Sequence, residues 1–381
     1  MDLLLLPLSL LVLANAIYYG LTLISIFSFA RRTEPQAADY PRVSILKAVR
    51  GLDPQASQAL SSFLELDYPR PYQVVFALAD ANDPALPLIR RLIAEKHPHV
   101  SARVVIAPPG GGPNEKMSNL AAAIPHADGE LIALGDADVL ARPDWLRRMA
   151  APFADPRVGL TTCLYRAGTA PGLWSRLEAL TIASDLMPQV LVAERLEGIS
   201  FGLGASICVH RAALAGIGGF EGLAPFLADD YLLGNRVHRA GWKLVLVPQV
   251  VELLFERQTA RGYFLHQLRW ARTYRACRPA GYAASAITHG VVWGPLFLMA
   301  TGFFSALGWG VLGGLAALRV ACYLTADRLC LHGGRRLSGL ALLPFKDLVA
   351  FAVFVASFLG RRVTWRDRTF GLDGEGRLIQ P

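Results

Sequence analysis

Two apolar blocks, one near each end of the chain, enclose a middle part in which apolar and polar positions alternate over short distances. The first block, Leu3–Ala30, is uncharged and is followed directly by Arg31 and Arg32. More than about 20 consecutive apolar residues can span a bilayer. Arginines behind the block, and none in front of it, predict a membrane anchor with a cytoplasmic following domain, and disfavour a signal peptide.

The second block, Ile287–Leu324, has Arg319 as its only charge. It is too long for one span and predicts two, with a turn near Gly308–Gly310. The shorter apolar stretch Leu348–Gly360 is compatible with a re-entrant or interfacial segment, or with a third span that starts near Leu337. The arginines that follow it favour a cytoplasmic C-terminal tail.

Short β-rich runs alternate with helical patterns between the two blocks. The runs lie at 43–49, 72–79, 102–107, 130–135, 158–165 and 243–251, and helical patterns lie at 86–97 and 143–154. This alternation predicts an α/β domain with a mainly parallel sheet. Because ligands in such sheets bind at the carboxyl ends of the strands, polar residues at strand ends are the candidate site residues.

Composition agrees with a membrane protein and excludes several functional classes. The 381 residues are 53% hydrophobic and only 18% charged, and soluble domains carry about 25% charged residues. The net charge is +8, and the arginines crowd near the borders of the apolar blocks. This placement is typical of the cytoplasmic ends of membrane spans and does not indicate a nucleic-acid partner. The five cysteines form no CxxC pair and indicate neither disulfides nor a zinc site.

Carboxylates follow two of the predicted strands. Asp80 ends the run YQVVFALAD, and Asp136 and Asp138 follow ELIALG. Residues i and i+2 of an extended segment share a face, so the latter two can converge on one Mg²⁺ or Mn²⁺ that bridges a diphosphate. The alternative is a solvated turn, in which aspartate is common.

Two further segments carry charges next to apolar or glycine-rich sequence. Lys116 follows the loop PPGGGPNE, which is not a P-loop; it is either a phosphate ligand or a solvated lysine. Asp229 and Asp230 interrupt the apolar run FLADDYLLG, where a helix is predicted to begin. They either complement the dipole of this helix or supply a general base with raised proton affinity.

The segment HQLRWARTYRACRPAGY (266–282) concentrates arginines just before the second apolar block. One interpretation is a juxtamembrane patch that attracts anionic lipid. The other is a ligand-binding group in which Gln267 is an amide donor, Arg269 binds phosphate and Trp270 stacks on the ligand.

The order Asp80, GDAD, ADDY, QLRW resembles processive-type family 2 glycosyltransferases, with their D, DxD, [E/D]D and QxxRW motifs. More closely, the chain resembles ceramide glucosyltransferases and the related bacterial hopanoid glycosyltransferases of glycosyltransferase family 21. The resemblance covers nearly the whole chain, and it rests on residues 43–55, 64–85, 114–120, 227–234 and 266–275.

This resemblance implies a GT-A domain, the fold of nucleotide-diphospho-sugar transferases, at 40–282. An N-terminal anchor (1–32) precedes it, and a C-terminal membrane region (283–362, two spans plus a third or re-entrant segment) and a polar tail (363–381) follow. The implied roles are nucleotide contact for Asp80, metal and diphosphate binding for Asp136 and Asp138, diphosphate binding for Lys116, general base for Asp230 with Asp229 in support, and closure over the diphosphate for Gln267, Arg269 and Trp270.

The implied reaction is an inverting, metal-dependent transfer of glucose or N-acetylglucosamine from a UDP-sugar to a hydroxyl of a membrane lipid. The acceptor is a ceramide or a hopanoid polyol, and the enzyme is expected in a bacterial inner membrane. Animal ceramide enzymes carry a histidine near the segment that reads SDLMPQV (184–190) here, which leaves room for a hopanoid. The rival enzyme class is a metal-dependent phosphodiesterase, which would usually place histidines beside the aspartates.

Overall fold

A computed structural model describes residues 2–95, 100–334, 336–365 and 368–379. Contacts divide the chain into two compact units. We call Arg32–Ala170 with Glu197–Glu256 the sheet unit, and Met1–Arg31, Pro171–Leu196 and Arg257–Pro381 the helical unit. The strands are β1 (Val43–Ala48), β2 (Tyr72–Leu78), β3 (Val100–Ile106), β4 (Leu131–Gly135), β5 (Val139–Leu140), β6 (Val158–Thr169), β7 (Ser206–His210), β8 (Lys243–Leu254), β9 (Arg362–Trp365), β10 (Arg368–Leu372) and β11 (Leu378–Ile379).

The α-helices belong to both units. They are α1 (Asp2–Ala30), α2 (Ala56–Ser61), α3 (Leu86–Ala94), α4 (Glu115–Ala123), α5 (Trp145–Ala150), α6 (Gly172–Thr181), α7 (Met187–Glu197), α8 (Arg211–Gly216), α9 (Asp229–Arg239), α10 (Ala260–Cys277), α11 (Pro279–Ala284), α12 (Gly290–Thr301), α13 (Ala306–Ala326) and α14 (Arg336–Ser357). One π-helical turn, Ile182–Leu186, joins α6 to α7, and a second, Asp327–Leu331, follows α13.

The sheet unit is built on an eight-stranded mixed sheet in the order β3-β2-β1-β4-β7-β6-β8-β5. Strands β1 to β4 pair in parallel, and β6 and β8 also pair in parallel, whereas β7 runs antiparallel to both of its neighbours. Every residue of β2 is buried, as expected for a parallel strand that is covered on both faces. The six β-rich runs are therefore strands as predicted, while the sequence analysis missed β7.

The helical unit contains the apolar helices. Within the described residues, three stretches are long and apolar enough to cross a membrane: Leu4–Ala30, Ala306–Leu331 and Ser338–Ser357. A fourth candidate is a pair of helices, Pro279–Thr288 and Gly290–Thr301, bent by 55°. Val12, Phe297 and Leu315 form one buried cluster among these helices, and Leu180, Tyr323 and Leu343 form another.

The turn predicted near Gly308–Gly310 is wrong, because both glycines lie inside α13. The chain turns between α12 and α13, where Gly302 has a φ of 89°, a conformation that favours glycine. A Cβ on Gly308 would lie 2.8 Å from the Leu298 side chain, so this glycine permits close packing of α13 on α12.

The stretch Leu348–Gly360, for which two interpretations were open, is largely the second half of α14. The helix is long enough to span a membrane because it continues through Lys346 and Asp347, both of which are buried and paired. The predicted polar tail forms a small antiparallel sheet, β11-β10-β9, which the sequence analysis did not predict. The compact units also differ from the predicted domains, since 171–196 and 257–282 belong to the helical unit; the domain boundaries stay a prediction.

Candidate active site

The predicted DxD motif lies in the turn between β4 and β5. Lys47, on the adjacent strand β1, donates a hydrogen bond of 2.6 Å from Nζ to the backbone carbonyl of Asp136. Its Nζ also lies 3.6 Å from the centre of the Phe63 ring. Lys47 is completely buried, and burial lowers its pKa to about 7. The sequence analysis missed this residue, although a lysine inside an apolar strand was the available signal.

Lys116 lies between carboxylates from distant parts of the chain. Its Nζ is 2.5 Å from Asp136 Oδ1 and 3.7 Å from Asp229 Oδ2. Burial alone would lower the pKa of Lys116, but the charges of Asp136, Asp229 and Asp230 together raise it. The structure therefore brings together four of the predicted site residues around one ammonium group.

Asn114 explains why Lys116 and Asp229 meet. This residue is fully buried and caps α4, because its Oδ1 accepts a hydrogen bond of 3.1 Å from Met117 N. Its Nδ2 donates to the carbonyl of Phe226 at 2.8 Å, and its backbone N donates to Ala224 at 3.0 Å. The glycine-rich loop and the segment before α9 are thereby fixed to each other, a link that the sequence alone does not reveal.

Asp229 and Asp230 begin α9 but have different partners. Asp230 accepts hydrogen bonds from two backbone N–H groups, Gly204 N to Oδ2 at 2.9 Å and Tyr231 N to Oδ1 at 2.7 Å. Asp229 is buried and faces Lys116. Burial raises the pKa of Asp229 to about 6, although Lys116 opposes the shift, and burial also raises the pKa of Asp230. Both features, acids in the first turn of a helix and raised proton affinity, are thus present in one pair.

Glycines allow the loop before β7 to approach the start of α9. A Cβ on Gly204 would lie 2.8 Å from Asp230 Oδ2, and a Cβ on Gly202 would lie 2.9 Å from the Asp230 carbonyl. On the helix itself, Gly234 packs directly on the backbone of Phe201 and Gly202. The sequence FGLG therefore positions Asp230 through close backbone contact, and the sequence analysis did not single it out.

The DxD carboxylates have the chemistry of a hard-cation site. Burial, and after it repulsion by the charge of Asp136, raises the pKa of Asp138 to about 6. A bound cation would stabilise both carboxylates in their charged form. Oxygen ligands suit Mg²⁺ or Mn²⁺. Within the described residues, no group of three or more His, Cys, Asp or Glu side chains is arranged to hold a metal. The remaining ligands would therefore have to come from a bound substrate or from water.

Asp80 lies at the same edge of the sheet. Among the described residues, no hydrogen bond or ion pair joins Asp80 to Lys116 or its carboxylate partners. It is exposed, and its Oδ1 accepts a hydrogen bond of 2.8 Å from Asn82 N. Strand β1 separates β2, which Asp80 follows, from β4, so the distance is of the order of two strand spacings, roughly 10 Å. Its predicted contact with a nucleotide stays a prediction.

Gln267, Arg269 and Trp270 of the segment QLRW lie on α10, in the helical unit, and one residue separates Gln267 from Arg269 where QxxRW has two. Gln267 is buried, and its Nε2 has no hydrogen-bond partner among the described residues. The ring of Trp270 lies 4.6 Å from that of His266, centre to centre, and Thr273 Oγ1 donates to the carbonyl of Arg269 at 2.7 Å. The predicted closure of Gln267, Arg269 and Trp270 over a diphosphate stays a prediction.

Comparison with known proteins gives consistent results. The family model described as Glycosyl transferase family 21 matches residues 8–378. Ceramide glucosyltransferase 1 of Caenorhabditis elegans is 24% identical over 93% of this chain and 76% of its own length. Beta-monoglucosyldiacylglycerol synthase of Synechocystis sp. is 27% identical over 61% of this chain and 47% of its own length.

Solved structures give the fold. A mannosyltransferase of Pyrobaculum calidifontis, in complex with GDP-Man and Mn²⁺, superposes with a TM-score of 0.51 at 20% identity, covering 92% of this chain and 98% of the other. The predicted α/β GT-A fold is thereby confirmed.

Proposed function

The chain belongs to glycosyltransferase family 21, the family that its motifs predict, and on that premise we propose that it transfers a hexose from a UDP-sugar to a hydroxyl of a membrane lipid. The names of two relatives, a ceramide glucosyltransferase and a monoglucosyldiacylglycerol synthase, support glucose as the sugar and a lipid as the acceptor. The apolar helices of this chain agree with an acceptor that resides in a bilayer. Ceramide is the first acceptor to test, and a hopanoid polyol is the alternative.

One observation carries the proposal: Lys116 Nζ lies between Asp136 and Asp229, beside Asp230, in a single compact unit. A transferase of this kind needs positive charge for a departing diphosphate and a carboxylate for the acceptor hydroxyl. Both types of group are present within a few ångströms of each other. Lys116 then exchanges its contact with Asp136 for the donor phosphates.

In the proposed mechanism, Asp230 is the general base. Its two backbone hydrogen bonds fix the carboxylate, and each oxygen keeps a second lone pair with which to accept a proton. Asp230 takes the proton of the lipid hydroxyl while the hydroxyl oxygen bonds to the anomeric carbon. The bond from that carbon to the diphosphate breaks on the opposite face, and UDP leaves toward Lys116. One displacement inverts the anomeric centre, and Asp230 later returns the proton to solvent.

Asp136 and Asp138 are the residues that would hold a divalent cation. When bound there, Mg²⁺ or Mn²⁺ supplies positive charge against the diphosphate. The Mn²⁺ in the mannosyltransferase structure supports this part of the proposal. On α10, the buried Gln267 amide without a partner supports a donor to a bound ligand, since unsatisfied buried amides are costly.

Product analysis tests the proposed function. The purified full-length chain is incubated with UDP-glucose or UDP-N-acetylglucosamine and with ceramide, diacylglycerol or a hopanoid polyol, with Mn²⁺ or Mg²⁺ present. The proposal expects the mass of one hexose or N-acetylhexosamine added to a lipid. The same incubations are repeated with a native lipid extract. The proposal would be contradicted if the UDP-sugar were hydrolysed in every combination and no lipid product formed.

A further inference from the structure

A cleft of about 380 Å³ in the helical unit lies where α10, the end of α14 and the C-terminal sheet meet. Its lining includes three arginines, Arg272, Arg275 and Arg361, together with Phe358 and the carboxylate residue Asp373. None of these residues has a role in the proposed transfer. The cleft therefore carries an excess of positive charge that the reaction does not explain.

Neutral groups hold two of the arginines in place. Arg272 Nη2 donates to the carbonyl of Leu359 at 3.1 Å and Nη1 to that of Arg362, while Arg275 Nη2 donates to the carbonyl of Gly360 at 2.7 Å. Carbonyls orient the guanidinium groups without neutralising them. Among the described residues, no ion pair joins Arg272, Arg275 or Arg361 to a carboxylate.

The cleft also retains an unused donor. Arg272 Nε is buried and has no hydrogen-bond partner in the described part of the chain. Among the described residues that line the cleft, the only carboxylate is that of Asp373, and its Oδ1 accepts backbone hydrogen bonds of 2.8 Å from both Glu375 and Arg377. Arg272 and Arg275, two neighbouring guanidinium groups that line the cleft, form the pattern that phosphate oxygens satisfy.

The position of the cleft indicates which phosphate it binds. It adjoins the end of the apolar stretch Ser338–Ser357, and Phe358 and Leu359, the next two residues, are 46% and 77% exposed. Exposed apolar side chains beside arginines are typical of a membrane–water interface, where the arginines meet lipid phosphates. A soluble inorganic phosphate would gain nothing from Phe358 and Leu359.

We propose that this cleft binds the phosphate of an anionic phospholipid headgroup, with Arg272, Arg275 and Arg361 as its ligands. The site holds the end of α14 and the C-terminal sheet at the membrane surface. It is separate from the lipid acceptor and does not rest on the proposed transfer reaction.

Native mass spectrometry of the purified full-length chain in detergent tests the site. Phosphatidylglycerol is titrated into wild type, Arg272→Gln, Arg361→Gln and the control Arg31→Gln. Arg31 is exposed and also follows an apolar helix, so its loss removes the same charge outside the cleft. We expect about fivefold weaker phosphatidylglycerol binding for each cleft variant, since one arginine contributes about 1 kcal/mol at an anionic surface. Arg31→Gln should bind phosphatidylglycerol as tightly as wild type does. Phosphatidylcholine should bind equally to all four proteins.

Competition separates the possible sources of phosphate. With inorganic phosphate or UDP added at millimolar concentration, phosphatidylglycerol binding should persist in wild type. Displacement by UDP, with loss of UDP binding in Arg272→Gln, would overturn the lipid assignment in favour of a nucleotide. Equal phosphatidylglycerol binding by all four proteins would overturn the site itself. The Arg361 side chain makes no hydrogen bond or ion pair within the described residues, so its variant remains informative if Arg272→Gln unfolds.

Discussion

Asp229 and Asp230 show how two adjacent side chains of one type acquire different properties. Backbone N–H groups hold Asp230, whereas the lysine ammonium faces Asp229. Asp230, which backbone N–H groups hold, can accept a proton without losing an ion pair. In the proposed mechanism, Asp229 stabilises the positive charge of Lys116, which receives the donor diphosphate. This difference is the physical reason for assigning the base to Asp230.

Asp230→Asn is expected to reduce kcat by about 100-fold or more, because a general base contributes at least that factor. Binding of the UDP-sugar, measured by calorimetry, should change by less than about threefold. The neighbouring Asp229→Asn is the matched control, and it should raise KM more than it lowers kcat because it disturbs Lys116. An Asp230→Asn protein that no longer binds the donor would make Asp230 a ligand and not the base.

We infer that Lys47 positions the DxD turn, since its Nζ donates to the backbone carbonyl of Asp136, lies over the ring of Phe63 and forms no ion pair within the described residues. Lys47→Met keeps the buried volume and removes the hydrogen bond, so we expect about tenfold lower kcat/KM with an unchanged or higher melting temperature. Lys243→Met, an exposed lysine in the same unit, is the control. Wild-type kcat/KM in Lys47→Met would remove the positioning role.

At the scale of secondary-structure elements, the FGLG loop packs closely against the start of α9. A side chain on Gly204 cannot fit without displacing Asp230, because its Cβ would lie within 2.8 Å of Oδ2. Gly204→Ala should therefore lower kcat by about tenfold or more while UDP-sugar binding persists. Gly216→Ala, where a Cβ meets nothing within 4 Å, is the matched control. Full activity of Gly204→Ala would mean that Asp230 tolerates displacement and is not precisely held.

A buried ion network joins three elements of the helical unit. Arg319 of α13 contacts Asp185 of the π-helical turn at 2.5 Å and Asp347 of α14 at 2.7 Å. Lys346 Nζ lies 2.6 Å from Asp185 Oδ2, so two cations and two anions compensate each other. The sequence analysis treated Arg319 as an isolated charge in an apolar block; its partners come from segments 134 and 28 residues away in sequence.

Arg319→Met should destabilise the protein strongly, by about 3–5 kcal/mol, because it leaves an uncompensated buried carboxylate. Thermal unfolding in detergent measures the effect. Arg328→Met, an exposed arginine just beyond α13, should leave the melting temperature within a few degrees of wild type. Equal melting temperatures of Arg319→Met and wild type would show that the network adds nothing to stability.

At the scale of the whole molecule, periodicity and motif order predicted most of the architecture. The runs around β1, β2 and β4 were recognisable because parallel strands that are covered on both faces are nearly continuously apolar. Strand β7 was not, since SICVH is short and follows directly on the glycine-containing loop FGLGA. The turn before α13 was misplaced because a glycine used for helix packing looks the same in sequence as a glycine used for turning.

Local sequence proposed the residues of the candidate site, whose roles stay predictions, but not the residues that support them. Carboxylates at strand ends and the lysine after a glycine-rich loop follow from local sequence. Lys47, Asn114 and Gly204 act through contacts over tens of residues or more, with Asp136, Phe226 and Asp230 respectively, and no local pattern encodes such pairings. Family membership adds the enzyme class and sets aside the phosphodiesterase alternative.

The anomeric configuration of the product tests the central claim most directly, since a single base and a single displacement allow only one outcome. The glycolipid formed from an α-linked UDP-sugar is isolated, and the coupling constant of its anomeric proton is measured by NMR. The account predicts a β-linked product in wild type, formed about 100-fold or more slowly by Asp230→Asn. An α-linked product would contradict it, because retention requires a different reaction path.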